Sequence, residues 1–471
     1  MTRLSAPGLP EEAIRERARI GREAAFPPRA SYGRRLFGAT GQETTGQTAT
    51  GQEPTSQTAT GQTAGQGHDA LDALRLVPPV FMPQRLEKLV ELGREPVYQD
   101  VALDSGIGGF HSPLPVFITA FGSTRAASGD LGVPLSRQAA RLGLPMVIGE
   151  NIVPVNGYGR LARTPDSASL LARISAYVQE VPEGYGGVVV QQCTEDADAE
   201  VWNLVYSDPA AQPLVETGRL AFELKVGQGA KPGLGGMTVV DRSTAEALRD
   251  HYEIDAVFGP GAAGPGAAET ATGGDAEGAS LSYLRSSSPG TFTEEILRQQ
   301  VRLLRNNYPQ ARIWVKLHPG RDVAQAATVA WRAGADAVTV DGAEGGTGWA
   351  PLAFLDGVGL PLVECLHRIG SPAGNLLASG RMWEGTRAVK AIALGATAVG
   401  LGRAALLAVD EDTESGLERF VACLALELRL LISALGKYSP RAVGREDVWP
   451  TPDPAARTGH DEQRSLHDES V

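Results

Sequence analysis

The apolar residues of this chain gather into short β-like runs, separated by longer stretches with helical spacing. Eight runs stand out, at 115–121, 144–149, 187–192, 221–226, 313–317, 337–341, 376–379 and 398–401. They are short, apolar and rich in β-branched residues, as strands buried on both faces are. Helix-like segments such as 294–306, 323–333 and 386–393 lie between them. Strand alternating with helix predicts an α/β fold with a parallel sheet, and eight repeats suggest a closed (β/α)8 TIM barrel. A doubly wound open sheet would give a similar alternation, so the count alone does not separate the two. The long gap between the fourth and fifth runs holds a decoration, including a Gly/Ala-rich loop insertion at 259–278.

Outside the runs the pattern changes. Residues 11–25 are charged and helix-prone, with no strong apolar face. An imperfect ten-residue repeat follows at 41–50 and 51–60, and it contains no large apolar residue. Such a stretch cannot bury enough surface to offset the entropy of ordering, so it reads as a disordered N-terminal linker. The expected division is 1–77 for the helix and linker, 78–440 for the barrel and 441–471 for a polar tail. Segment 417–435 carries an apolar stripe at helical spacing, suited to packing on the barrel or to an oligomer contact.

Composition removes several classes of function. Of 471 residues, 42% are hydrophobic and 21% charged, ordinary values for a protein with a large core. A net charge of −12 argues against nucleic acid and anionic membrane surfaces as partners. Cys193, Cys365 and Cys423 are far apart in sequence, with no CxxC spacing, so no disulfide framework, metal site or iron–sulfur cluster is expected. No apolar signal core opens the chain and no run is long enough to span a bilayer, which makes a cytoplasmic protein the expectation.

The polar residues concentrate where a barrel places its chemistry, at the C-terminal ends of the strands. In order these are Gly122 and Ser123, Glu150 and Asn151, Gln191 and Gln192, Gln228 and Lys231, Lys316 and His318, Asp341 and Glu344, Ser379 and Gly380, and Gly402 and Arg403. The last two strands run straight into glycine, and helical stretches follow. Backbone N–H groups and helix N-termini at such turns suit a phosphate, although glycines there also serve as plain turn residues. Lys316 lies among Trp314, Val315 and Leu317, so its ammonium needs an anionic partner. An anionic cofactor edge would supply one, and so would a neighbouring carboxylate such as Asp341. His318 and Asp341 could form a base pair or a satisfied core contact. The run from Gly227 to Gly233 has the wrong spacing for a dinucleotide fingerprint. It reads better as a rigid loop presenting Gln228 and Lys231 to a carboxylate.

Four stretches together resemble the FMN-binding synthase domain of glutamate synthase and its stand-alone relatives. They are Gln228-Gly-Ala-Lys-Pro-Gly-Leu-Gly-Gly236, Val315-Lys-Leu317, the glycine-rich loop from Asp341 to Gly348, and Ser379 to Arg403. The resemblance runs from about Pro78 to Tyr438. It implies an FMN-bearing (β/α)8 barrel that reduces an imine, formed from 2-oxoglutarate and ammonia, by hydride from the flavin. It also implies roles. Glu150 corresponds to the family's acidic catalytic residue, and Lys316 to the lysine at the flavin N1 edge. Gln228 and Lys231 correspond to its oxo-acid contacts, with Arg249 at its substrate-carboxylate arginine. Gly380, Arg381, Gly402 and Arg403 fall where the FMN phosphate is held, and Gly122, Ser123, Gln192, Asp341, Gly345, Gly346 and Ser379 complete the expected cofactor site.

Three departures qualify that picture. The cysteine cluster that follows the family's last strand is missing, since 407–415 contains no cysteine. Residue 2 is threonine and no glutamine-hydrolysing domain precedes the barrel, so nitrogen and electrons are expected from free ammonia or an amine, or from a separate amidotransferase or electron-donor subunit. The second strand ends Gly149-Glu150-Asn151-Ile152, where the family has Gly-Glu-Gly-Gly. Two other functions stay open: an FMN oxidase or dehydrogenase of another small oxo acid or amino acid, and a noncatalytic flavin-binding subunit.

Overall fold

Eight parallel strands close into a barrel in chain order, each hydrogen-bonded to the next and the last to the first. They are β1 (Val116–Ile118), β2 (Met146–Ile148), β3 (Val188–Cys193), β4 (Leu220–Lys225), β5 (Arg312–Leu317), β6 (Ala337–Asp341), β7 (Asn375–Ser379) and β8 (Ala398–Leu401). Each lies within one of the eight apolar runs or overlaps it closely, and closure excludes the open doubly wound sheet. The computed structural model describes residues 4–6, 8–28, 69–121, 124–126, 129–149, 167–194, 197, 199–228, 231–232, 238–240, 242–249, 253–258, 282–286, 292–346 and 352–450. The repeat at 41–60, the insertion at 259–278 and the tail from 451 lie outside those residues.

Closure sorts side chains by parity, because successive residues of a strand face opposite ways. Phe117, Val147, Val189, Ala221, Trp314, Ala337, Leu377 and Ala398, one from each strand, form an apolar cluster inside the barrel. Their neighbours of opposite parity, such as Val188, Val190 and Val315, join the larger core between barrel and helices. The N-terminal mouth is sealed by an antiparallel hairpin, Ser105–Ile107 with Phe110–Ser112, whose Ile107 and Phe110 complete the inner cluster. Trp314 is the hub of this plug. Its ring lies 5.5 Å from Phe110 and 6.2 Å edge-on from Phe117, and its indole N–H donates to the Gly108 carbonyl at 2.9 Å.

The helices run as the spacing predicts, with Glu294–Asn307 before β5 and Val323–Ala333 after it. The gap between β4 and β5 holds a three-stranded antiparallel sheet, Thr238–Val240, Ser282–Ser286 and Glu253–Phe258, with Ser282–Ser286 in the centre. Four helices pack together beside the last two strands: α1 (Glu11–Ile20), α2 (Gly385–Ala393), α3 (Arg403–Glu411) and α4 (Gly416–Ala434). Helix α4, the expected amphipathic segment, buries Leu417, Phe420, Cys423, Leu424, Leu428 and Ile432 against the molecule. Among the described residues no helix is long and apolar enough to cross a membrane.

Two segments behave differently from the sequence reading. Helix α1 packs on α3 and α4, burying Ile14 and Ala18 together with Arg15 and Arg17. Its face is not strongly apolar; it is buried because its arginines meet carboxylates. Arg15 pairs with Asp410 at 2.8 Å and Glu411 at 3.0 Å. At the other end, ordered chain continues beyond 440, where Val448–Trp449 pairs with Arg75–Leu76. Lys437 ties this end down through Asp447, 2.5 Å away.

The plug yields a direct test. Gly108 and Gly109 have φ of +55° and +92°, the conformation a two-residue hairpin loop demands. A Cβ on Gly108 would run into the Trp314 indole. Gly108→Ala should therefore lower stability by about 2–4 kcal/mol through left-handed strain and overpacking. Urea unfolding of the variant beside wild type measures this, and equal midpoints would contradict it.

Candidate functional site

Above the apolar plug, the inward positions turn polar. Two residues beyond Val189, Ala221, Trp314, Ala337 and Leu377 stand Gln191, Glu223, Lys316, Thr339 and Ser379, all buried. They come from five adjacent strands, β3 to β7, and most are wired together. Gln191 donates to Glu223 at 2.5 Å, and Thr339 donates to the other Glu223 oxygen at 3.0 Å. The Lys316 ammonium lies 2.9 Å from Asp341, with both side chains only 5% exposed. The Ser379 hydroxyl donates to the second Asp341 oxygen. A lysine and two carboxylates in a barrel interior would be costly unpaired, and here each has a partner. Burial raises the Glu223 carboxyl above its ordinary pKa, although Lys316, Gln191 and Thr339 pull the other way.

One step nearer the C-terminal mouth come Lys225, His318 and Asp341. Lys225 shares the parity of Ala221 and Glu223 and sits opposite Lys316 in register. His318 follows Lys316 by two residues and leans on Gly227, where a Cβ would lie 2.8 Å from the histidine Cβ and 2.9 Å from Nδ1. Its Nδ1 is buried with no hydrogen-bond partner among the described residues. Burial pushes the imidazole below its ordinary pKa despite the nearby Asp322. The base pair of His318 with Asp341 therefore does not form; Asp341 is engaged by Lys316 and Ser379. Next to His318, Gly227–Gln228 pairs with Lys231–Pro232 as a tight hairpin that sets Gln228 opposite Lys231.

The glycine-rich loop after β6 is fixed by its own acid. Glu344 accepts from the Leu362 backbone N–H at 2.9 Å, while Ala343 N–H donates to the Leu360 carbonyl at 2.9 Å. Trp349 and Pro351, which follow this loop, lie outside the described residues. Gly345 N–H donates to Gly342 O at 2.8 Å, and Gly346 is exposed. Gly380 has φ +130°, and a Cβ there would sit 3.6 Å from the backbone nitrogens of Gly342 and Gly345. Arg381 has φ +50°.

The two helix N-termini beside this corner are not equivalent. The first, on α2, is already capped, because Gly385 N–H donates to the Glu427 carboxylate at 2.7 Å. Two open helix ends in succession, as the sequence suggested, are thus reduced to one. Helix α3 begins after Gly402 with no side-chain cap, and Arg403 stands exposed on its first turn. A Cβ on Gly402 would meet only Thr119, at 3.5 Å.

The remaining expected residues divide clearly. Glu150, Gly122 and Ser123 lie outside the described residues, and for Gln228 and Lys231 only the backbone is described. Gln192 shares the outward parity of Val188 and Val190, so Gln191 is the glutamine of the barrel interior. Arg249 is exposed after the helix Arg242–Leu248, and among the described residues no hydrogen bond or ion pair joins it to the buried ring. Glu223, Thr339 and Lys225 escape a reading confined to strand ends. The signal was present: two charges two residues apart in 221–226 mark one face of an otherwise apolar strand. The three cysteines are buried thiols, with Cys365 pushed up to about 12 and Cys423 to about 11 by burial, which suits core packing and not nucleophilic work.

Comparison with known proteins places this geometry. Residues 287–412, which include β5 to β8, match the sequence model described as the conserved region in glutamate synthase. The archaeal-type glutamate synthase [NADPH] of Dehalococcoides mccartyi is 31% identical over 204 residues, 41% of this chain and 36% of that protein. The chain thus spans little more than a third of that relative's length. The isopentenyl-diphosphate delta-isomerase of Vibrio campbellii is 38% identical over 128 residues, covering 24% of this chain and 37% of that one. Among solved structures, a soluble mutant of the membrane-associated (S)-mandelate dehydrogenase from Pseudomonas putida aligns at 17% identity and a TM-score of 0.45, covering 80% of this chain and 88% of that one. Over 287–412, the region of β5 to β8, the chain is thus similar to the conserved region in glutamate synthase.

Proposed function

We propose that this protein is an FMN-dependent oxidoreductase that forms an amino acid by reducing the imine of a 2-oxoglutarate-like oxo acid. The observation that carries the reading is the buried polar cluster of Gln191, Glu223, Lys316, Thr339, Asp341 and Ser379, positioned above the apolar plug toward the C-terminal ends of the strands. A barrel that needed only stability would fill these positions with branched apolar side chains.

The residues present fit FMN. The α3 N-terminus lacks a side-chain cap, and Gly402 leaves its approach open. Gly380 brings the end of β7 to the backbone nitrogens of Gly342 and Gly345, and its φ of +130° suits glycine. The Lys316 ammonium and the orphaned His318 Nδ1 supply polar groups for a heteroaromatic ring. When bound, FMN supplies the hydride.

The chain's own residues supply the rest. Ammonia adds to the oxo-acid carbonyl with loss of water, and the imine then takes up a hydride and a proton to give the amino acid. Lys231 and Gln228 hold the oxo-acid carboxylate at the hairpin. Lys316 offers positive charge at the reacting level, held in place by Asp341. Glu150 stands as the candidate for proton handling at the end of β2. Ammonia comes free or from a separate amidotransferase, and electrons from a separate donor subunit. The similarity over 128 residues to an isomerase makes the reaction the point to test.

The purified chain should release one equivalent of FMN, identified by its absorption spectrum and mass. A colourless protein that also refuses added FMN would refute the reading. Anaerobic mixing with glutamate and a panel of other amino and hydroxy acids should bleach the flavin for glutamate-like acids. Bleaching by a hydroxy acid alone would point to the oxidase or dehydrogenase instead.

Lys316 separates a structural lysine from a working one. Lys316→Met strands Asp341 without its ion-pair partner and should cost about 3–5 kcal/mol of stability. Adding Asp341→Asn should recover most of that loss in urea unfolding. Turnover should stay at least about 100-fold down in the double variant, a loss of some 2.7 kcal/mol of transition-state stabilisation. Recovery of both would make Lys316 purely structural.

Glu223 predicts a pH dependence. A carboxyl whose folded pKa is raised contributes stability that is complete below its unfolded pKa and is lost as pH rises through the folded one. Wild type should therefore lose more stability between pH 5 and pH 8 than Glu223→Gln does. Urea midpoints at the two pH values read this directly, and an identical loss in both proteins would reject it.

A further inference from the structure

We propose that the chain's two N-terminal segments, around Arg17 and around Asp69, form a clamp on the β7–α2 loop, making Arg17 and Asp69 positioning residues for the flavin phosphate. The inference rests on the FMN reading above. It concerns residues far from the barrel in sequence, on either side of the 29–68 stretch.

The β7–α2 loop runs from Gly380 to Glu384, and its fixed points trace back to these segments. Arg17 donates to the Trp383 carbonyl at 3.2 Å, and its guanidinium lies 4.7 Å over the Trp383 ring. The same guanidinium grips both Glu427 oxygens, at 2.7 and 3.0 Å. Glu427 in turn caps α2 through Gly385 N–H at 2.7 Å. One arginine on α1 thus holds the loop's carbonyl, its aromatic side chain and the carboxylate at its far end.

The second segment grips the near end. Asp69 lies 2.6 Å from Arg387 and 3.6 Å from Arg381, and Asp72 also pairs with Arg387. Arg387, only 1% exposed, reaches back to the Gly380 carbonyl at 3.5 Å. Asp69 is itself fixed, because it caps the short helix Ala70–Ala73 by accepting from the N–H groups of Leu71 and Asp72.

Such a loop needs holding. Arg381 occupies left-handed backbone, which strains a non-glycine residue and persists only when the surroundings fix it. Release of the clamp would let Arg381 relax and carry Gly380 away from Gly342 and Gly345. Docking of α1 also serves the other side of the corner. Asp410 and Glu411 place negative charge at the C-terminal end of α3, an unfavourable position that the buried Arg15 offsets by pairing with both.

The test uses the full chain and four variants: Arg17→Ala, Arg17→Lys, Asp69→Asn and, as control, Arg19→Ala. Arg19, on the same helix as Arg17, pairs with Glu411 of α3 and has no described contact to the loop. Two readouts are taken: FMN affinity from flavin fluorescence, and amide hydrogen exchange of the 380–386 segment without flavin. Arg17→Ala and Asp69→Asn should each weaken FMN about tenfold or more and speed exchange in that segment by a similar factor. Arg17→Lys should recover part of both, and Arg19→Ala should match wild type. Circular dichroism checks folding; should Arg17→Ala unfold, Asp69→Asn, which keeps the side chain's shape, decides. Wild-type exchange and affinity in both loop variants would overturn the clamp. Faster exchange with unchanged affinity would also overturn it, as would equal effects from Arg19→Ala. A wild-type chain that takes up no FMN fails differently, since it removes the flavin reading and the phosphate role together.

Discussion

Barrel closure is the constraint on which the rest depends. Eight parallel strands hydrogen-bonded in a ring leave no edge, and every second side chain must enter a narrow interior. That interior is filled in two registers. Below, Trp314 and its neighbours pack against the Ser105–Ser112 hairpin and exclude water. Above, the same parity brings Gln191, Glu223, Lys316, Thr339 and Ser379 into one another's reach. The upper register depends on the lower. Without the plug the charges would be solvated from beneath, and without the polar ring the fold would have no reason to keep its upper interior hydrophilic.

Buried charge is also how the outer parts are attached. Helix α1 has too few apolar residues to dock by hydrophobic contact. It docks because Arg15 and Arg17 exchange water for carboxylates already fixed on α3 and α4. Arg387 does the same for the segment at Asp69 and Asp72. Losing one partner of such a pair costs more than the pair contributes, because a lone charge remains in a dry site. The arrangement therefore favours geometry over stability, and both clusters surround the same loop after β7.

The sequence disclosed the barrel well and its interior less well. Strand runs, the position of the insertion and helices such as Val323–Ala333 were legible because local periodicity carries them. Lys316 was legible because a lysine among apolar neighbours is conspicuous, and Asp341 was correctly named as one possible partner. Parity was the information left unused: 191 and not 192 faces inward, because its strand partners Val189 and Glu223 do. The long-range pairs were hidden for a different reason. Arg17 with Glu427, separated by 410 residues, leaves no local pattern, and charged residues on a short helix resemble any solvated face.

The capping of α2 by Glu427 sets the two helix ends apart. A helix N-terminus stabilises one anion well, and a protein carboxylate already occupies this one at 2.7 Å. A phosphate brought to the same place would meet negative charge, whereas α3, one strand further on, has no competing side chain. Repulsion at one helix end and attraction at the next would hold a dianion toward Gly402 and away from Glu427. The glycines after β7 then have a narrower duty than anion binding. Gly380 brings the chain close to Gly342 and Gly345, joining the end of β7 to the loop after β6, while Gly402 leaves the approach to α3 open. Two turns that look alike in sequence are thus given opposite electrostatic roles by a residue forty-two positions away.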